Sequence, residues 1–173
     1  MTKRQQREWQ AKLDGTRGMA QWIAIYQAYN AIFKLAELAL LPHRLSLPQI
    51  YLLGVLKSGR GILTTGEIGR AMVKASQTIT GLVDRLEEPG LVERVFDRRD
   101  RRKTWVRLTE EGERKLEEAF PVASRLAEEV SSVLSDQELQ DLQAKMEKLR
   151  GAAMDRLAAA LRPEGSRLQG RGL

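Results

Sequence analysis

Ser76, Gln77 and Thr80 place three small hydrogen-bonding side chains within one short run, and an arginine cluster follows them. Between Glu93 and Arg107 there are seven basic residues (Arg94, Arg98, Arg99, Arg101, Arg102, Lys103, Arg107) against three acidic ones (Glu93, Asp97, Asp100). Hydroxyls and amides that donate and accept can read hydrogen-bonding edges, and guanidinium groups bind phosphate in a planar fork. Bond-making chemistry has much less to work with. There is no cysteine, which removes disulfides, zinc fingers and thiol sensing. His43 is the one imidazole, in the loop sequence Leu41-Pro42-His43-Arg44, so no dedicated transition-metal site and no special duty for it are expected. No phosphate-binding glycine loop and no carboxylate pair in a cleft are evident, so no enzyme and no cofactor is expected.

The elements that must position these groups are legible from spacing. A helix is predicted to begin between residues 74 and 76 and to end at Glu87–Glu88, where Pro89 and Gly90 force a stop. Its Ile79, Leu82, Val83 and Leu86 fall at i, i+3, i+4 and i+7, one apolar stripe. The opposite face carries Ser76, Gln77, Thr80, Gly81 and Asp84. A recognition helix in a major groove requires such a face, although a solvated amphipathic helix would show the same residue types. Gly81 costs roughly 1 kcal/mol relative to alanine inside a helix. Either it lets the helix approach a base edge or phosphate closely, or it marks a tolerant exposed site. Residues 91–95 and 104–108 alternate as two short strands, and the loop between them, 96–103, is too polar for a core. A hairpin tip loaded with arginine beside a helix pair can reach phosphates or a narrow minor groove. A merely solvated tip would mix Lys, Glu, Asn and Gly. This hairpin reads as a wing.

Four motifs then occur in a specific order: Leu82-Val83-Asp84-Arg85-Leu86-Glu87, Gly90-Leu91-Val92-Glu93-Arg94, Asp100-Arg101-Arg102 and Leu108-Thr109-Glu110-Glu111-Gly112. With these the segment resembles the MarR family of bacterial winged helix-turn-helix regulators, closely over about fifty residues and more loosely over residues 19–161. The resemblance implies that Arg101 inserts into a groove while Arg98 and Arg99 lie on phosphate. It also implies that Asp84 and Arg102 form an ion pair tying helix to wing, and that Asp100 orders the loop. The family often has a larger residue at the position of Gly81, so the bases read differ.

The 173 residues suffice for one domain, or for a small domain on a helical scaffold. A net charge of +6 and a pI near 9.8 suit a polyanionic partner. No apolar signal region and no membrane-length run is present, which gives the expectation of a cytoplasmic protein with no membrane partner. Residues 1–18 form a basic extension, either a short extra helix or a frayed tail. From residue 19 to 41 a broad apolar and aromatic set repeats with helical spacing. Within it Trp22, Tyr26 and Tyr29 are either core or the wall of a pocket for a small apolar or aromatic effector, the second being what the resemblance also suggests. Ser46-x-x-Gln49, Thr64-x-x-Glu67 and Ser135-x-x-Glu138 read as helix-opening capping boxes, and Thr109 as a further cap. Two long C-terminal helices carry apolar stripes at 116–134 and 139–157, more than one winged helix can cover. Either two copies interlock their terminal helices, or a monomeric bundle closes on the helix at 19–41.

The predicted fold is therefore mainly α with a small β-wing, a winged helix-turn-helix on a helical dimerisation scaffold. Residues 46–112 form the DNA-binding domain, 19–45 and 113–161 the dimerisation region, and 162–173 a flexible basic tail. The expected partners are double-stranded DNA, a second copy and a small-molecule effector. The expected function is a sequence-specific regulator, a repressor by the family's commoner mode, on a pseudo-palindromic operator. Two other classes stand beside it: an architectural DNA-binding protein with little sequence choice, and a winged-helix protein-interaction module.

Overall fold

The computed structural model describes residues 2–96 and 103–161. Packing divides the chain into two compact units, Met1–Glu128 and Glu129–Leu173. The first holds α1 (Lys3–Gly15), α2 (Met19–Leu40), a 3-10 turn (Leu41–His43), α3 (Leu47–Ser58), β1 (Ile62–Thr64), α4 (Thr65–Met72), α5 (Ser76–Glu87), β2 (Val92–Phe96) and β3 (Thr104–Leu108). It also holds most of α6 (Glu110–Ser131), and α7 (Asp136–Ala160) belongs to the second unit. The N-terminal extension is helical, opened by a reciprocal Thr2–Gln5 capping box, rather than frayed. Among the described residues no helix is long and apolar enough to cross a membrane.

The helix starts follow their caps. Ser46 with Gln49, Thr64 with Glu67 and Ser135 with Glu138 each form the reciprocal pair that satisfies orphan amides at a helix entry. Hydrogen bonds from Thr64 and Ser135 hold the Glu67 and Glu138 carboxyls below the usual carboxylate range. Thr109 opens α6, its hydroxyl oxygen accepting from the Gly112 amide at 3.0 Å and its own O–H donating to the Gly90 carbonyl at 2.7 Å.

The sheet is antiparallel in the order β1-β3-β2, with Arg94 opposite Val106 and Val95 opposite Trp105. Its inner face meets α3, α4 and α5 in one core, where Leu52, Leu53, Leu56, Ile68, Ile79, Val83, Leu86 and Val106 are fully buried. No polar or charged residue is buried among the described residues. Two glycines are imposed by geometry. Gly90 has φ 74°, a left-handed conformation that lets the chain turn from α5 into β2. At Gly112 a Cβ would stand 2.0 Å from the Leu91 carbonyl oxygen, so only glycine lets α6 pass the strand entry.

Candidate nucleic-acid interface

Helix α5 divides as its sequence pattern requires. Ile79, Leu82, Val83 and Leu86 are buried against the core, while Ser76, Gln77, Thr80 and Asp84 stand in solvent. The helix begins at Ala75, which gives no side-chain cap, and its first turn holds no acid. The positive end of the helix dipole and its first amides therefore face outward uncompensated by carboxylate. Thr80 donates its hydroxyl proton to the Ser76 carbonyl at 3.0 Å, which leaves its oxygen free to act as an acceptor toward solvent. Gln77 carries both a donor and an acceptor. Around Gly81 a Cβ would meet only the Arg85 side chain at 3.9 Å, so nothing inside the fold demands glycine there.

The turn that leads into α5 is tight. Val73 adopts φ 52° and ψ 46°, an unusual conformation for a β-branched residue, and closes α4 with the Lys74 amide donating to the Gly69 carbonyl at 2.9 Å. Gly69 is packed close enough that a Cβ would lie 3.1 Å from the Lys74 carbonyl oxygen. A larger residue there would press on the turn between the two helices.

Strands β2 and β3 form the hairpin of the wing. Arg98, Arg99, Asp100, Arg101 and Arg102 lie outside the described residues, so the groove-inserting and loop-ordering roles assigned to them, and the Asp84–Arg102 pair, remain sequence expectations. The structure does supply Asp84 with a partner that sequence reading did not assign. Arg94 Nη2 donates to Asp84 Oδ1 at 2.6 Å, Arg94 Nη1 pairs with Glu87 Oε2, and the Arg94 amide donates to Glu87 Oε1 at 2.9 Å. Arg107 pairs across the strands with Glu93 at 2.8 Å. Among the described residues of this basic cluster, Arg94 and Arg107 are committed to acids within the fold.

A cavity of about 1010 Å³ opens in the first unit, its walls including Tyr29, Phe33, Tyr51, Met72, Leu116 and Phe120. Lys57 and Glu117, paired at 2.7 Å, also line it. That hydrogen bond raises the Lys57 pKa and lowers the Glu117 pKa. Of the three aromatic residues proposed from sequence for a pocket, only Tyr29 reaches this cavity. Trp22 and Tyr26 do not line this cavity and are 72% and 69% exposed. They share a helix face with Tyr29, and at 1.5 Å rise per residue Trp22 stands about 10 Å from it along α2. Phe33, Tyr51 and Phe120 were missed because apolar residues at core-like spacing carry no signal that separates pocket from interior. Among the described residues no group of three or more metal-ligating side chains gathers at one place.

A MarR family profile matches residues 44–103. The HTH-type transcriptional regulator MhqR of Bacillus subtilis is 30% identical over 124 residues, covering 72% of this chain and 85% of that protein. The chain belongs to the MarR family. A second Bacillus subtilis relative, the uncharacterized HTH-type transcriptional regulator YsmB, is 33% identical over 90 residues, 52% of this chain. That match spans 62% of the relative's length. The crystal structure of the organohalide-sensing regulator RdhR, in its ligand-free form, superposes with a TM-score of 0.73 at 21% identity, over 78% of this chain and 80% of that one. That likeness concerns the fold, a MarR winged helix with a mainly helical body.

Three of the four sequence motifs of the MarR resemblance acquire physical reasons here. The first supplies the buried stripe of α5 together with Asp84 and Glu87, and the second turns the chain at Gly90 and delivers Arg94 to them. The last meets the second through Thr109, Gly112 and the Leu91 backbone. The motif at 100–102 is outside the described residues.

Proposed function

We propose that this MarR-family chain is a homodimeric, sequence-specific DNA-binding transcriptional regulator that acts as a repressor. The observation that carries the reading is the outward face of α5. Ser76, Gln77 and Thr80 stand in solvent on a helix whose other side is locked into the core, beside the hairpin of the wing. A rigid helix with an uncharged, hydrogen-bonding face can enter a major groove and discriminate bases, while the arginines at 98, 99 and 101 take phosphate or a narrow minor groove. Two-fold symmetry then gives a pseudo-palindromic operator with half-sites about one helical turn apart.

Dimerisation is supported by apolar side chains that the single chain leaves uncovered, on α2 at Ile25, Ile32, Leu35 and Leu38 and on α7 at Leu142, Met146, Leu149 and Leu157. The cavity beside Tyr29 is where a small apolar or aromatic effector would act. Release from DNA requires that the effector bind a non-binding arrangement of the two recognition helices more tightly than the binding one.

Selection from a random duplex pool, followed by fluorescence anisotropy on the selected and scrambled duplexes, tests the reading. A marked preference for the selected sequence is expected. A ratio near one between the two duplexes would instead identify an architectural protein that binds DNA by charge.

A further inference from the structure

We infer that Arg94 is a positioning residue: it fixes the recognition helix α5 to the wing at one angle by joining Asp84 and Glu87 to strand β2, and does not itself contact DNA. The inference rests on the DNA-binding reading above. By sequence Arg94 is one of seven basic residues in the hairpin, with nothing to separate it from an arginine that grips phosphate. The structure separates it. Its side chain is 18% exposed, against 51% for Arg107 on the neighbouring strand. Its guanidinium is already occupied: Nη2 donates to Asp84 Oδ1 at 2.6 Å and, at a longer 3.4 Å, to the Thr80 carbonyl, while Nη1 pairs with Glu87. Its backbone amide donates to the same Glu87 carboxylate. Residues 80, 84 and 87 span two turns of α5, so a single strand residue holds the helix at three heights.

The charges explain why such a tie is needed. Asp84 is exposed on the face that also carries Gln77 and Thr80, and an unpaired carboxylate there would repel phosphate. A guanidinium stays charged at any physiological pH and its planar fork can serve two carboxylates at once, which a lysine's point charge cannot. Strand β2 pairs with β3 from Val92 to Phe96, so an angle set at Arg94 is carried along the hairpin. Groove and flanking backbone have a fixed spacing on DNA, and helix and wing must match it together.

The test uses the full chain as wild type, Arg94→Met, Arg94→Lys, Asp84→Asn and the Asp84→Asn/Arg94→Met double variant. Each is titrated against a fluorescein-labelled duplex selected by the wild type and against its scramble, over a salt series, with thermal unfolding measured alongside. Arg94→Met is expected to lose about tenfold in affinity for the selected duplex, the scale of a charged hydrogen bond. It should lose less on the scramble and leave the salt slope unchanged. Arg94→Lys should lose comparably, although its charge is kept. Asp84→Asn removes a negative charge near DNA and by charge alone should tighten binding; it is expected to weaken it, with the double variant no weaker than the worse single. A salt slope reduced by about one in Arg94→Met would identify a phosphate contact and overturn the inference. So would wild-type affinity in Arg94→Lys, tighter binding in Asp84→Asn, or equal losses on both duplexes that follow a lowered unfolding temperature. A pool that yields no preferred duplex for the wild type ends the sequence-specific reading itself, a distinct result.

Discussion

Helices α5 and α7 are built from apolar stripes of similar spacing, and the fold treats them differently. In α5 the residues Ile79, Leu82, Val83 and Leu86 are at most 5% exposed, enclosed by α3, α4 and the sheet. In α7 no residue is buried, and Leu142, Met146, Leu149 and Leu157 are 40–50% exposed. Both are properly started, α7 by a full capping box and α5 without one. Capping therefore does not decide which stripe is covered. The number of neighbours the chain itself can bring to the helix decides it, because most helical stability in proteins comes from packing an apolar face. The contrast teaches that α5 is finished within one chain, whereas α7 presents a surface for something else, which we assign to a second copy.

The most drastic way to break this comparison is to place charge on the uncovered stripe. Leu142→Asp together with Leu149→Asp is expected to convert a species of about twice 19.6 kDa into one of 19.6 kDa in sedimentation at micromolar protein. Far-ultraviolet circular dichroism should show the winged domain still folded. A wild type that sediments as a monomer and still binds the selected duplex tightly would remove the dimer from the proposal.

Truncation on the two stripes should give unequal costs. Leu86→Ala opens a void in a fully buried site and is expected to lose about 2–5 kcal/mol in urea unfolding. Leu149→Ala, half exposed, should scarcely change unfolding of the single chain and should act on association instead. Equal losses in both would mean that α7 is covered within its own chain.

The outward face of α5 comes next in size. Gln77→Ala or Thr80→Ala is expected to cost about 1–3 kcal/mol on the selected duplex and much less on its scramble, read by anisotropy. An unchanged preference would move the reading face elsewhere even with the fold intact. Arg98→Ala and Arg99→Ala should weaken both duplexes alike, each lowering the slope of log K against log salt by about one. Arg101→Ala should weaken A·T-rich flanks most if that side chain enters a narrow minor groove.

The smallest effect is in acid. The pKa values of Glu67, Glu117 and Glu138 are all depressed on folding, the first and last by hydrogen bonds at helix entries and Glu117 by Lys57. A carboxyl with a depressed folded pKa adds stability above its unfolded value, near 4.5, and loses it as pH falls through the folded value. The urea midpoint should therefore decline below about pH 4.5, and Glu67→Gln should flatten that decline slightly. Glu117 and Glu138 are exposed and Glu67 is half-buried, so the change is modest.

Much of the molecule was written in local order. The α5 stripe, the stop at Pro89-Gly90, the two wing strands and the capping boxes at 46, 64 and 135 depend on periodicity and on residues three or four apart, and the observed elements fall where those signals put them. The exposure of Ser76, Gln77, Thr80 and Asp84 followed as well, because the side of α5 opposite a buried stripe must face out. Other features depended on residues far apart in sequence. That Arg94 serves Asp84 and Glu87, that the cavity collects Tyr29 with Tyr51 and Phe120 while passing over Trp22 and Tyr26, and that Gly112 must be glycine beside Leu91 are all such cases. The physical reason is one of range. A capping bond or an apolar repeat acts between neighbours whose distance the helix itself sets, whereas an arginine's partner or a cavity's walls depend on how separate elements pack, and residue type alone leaves those distances open.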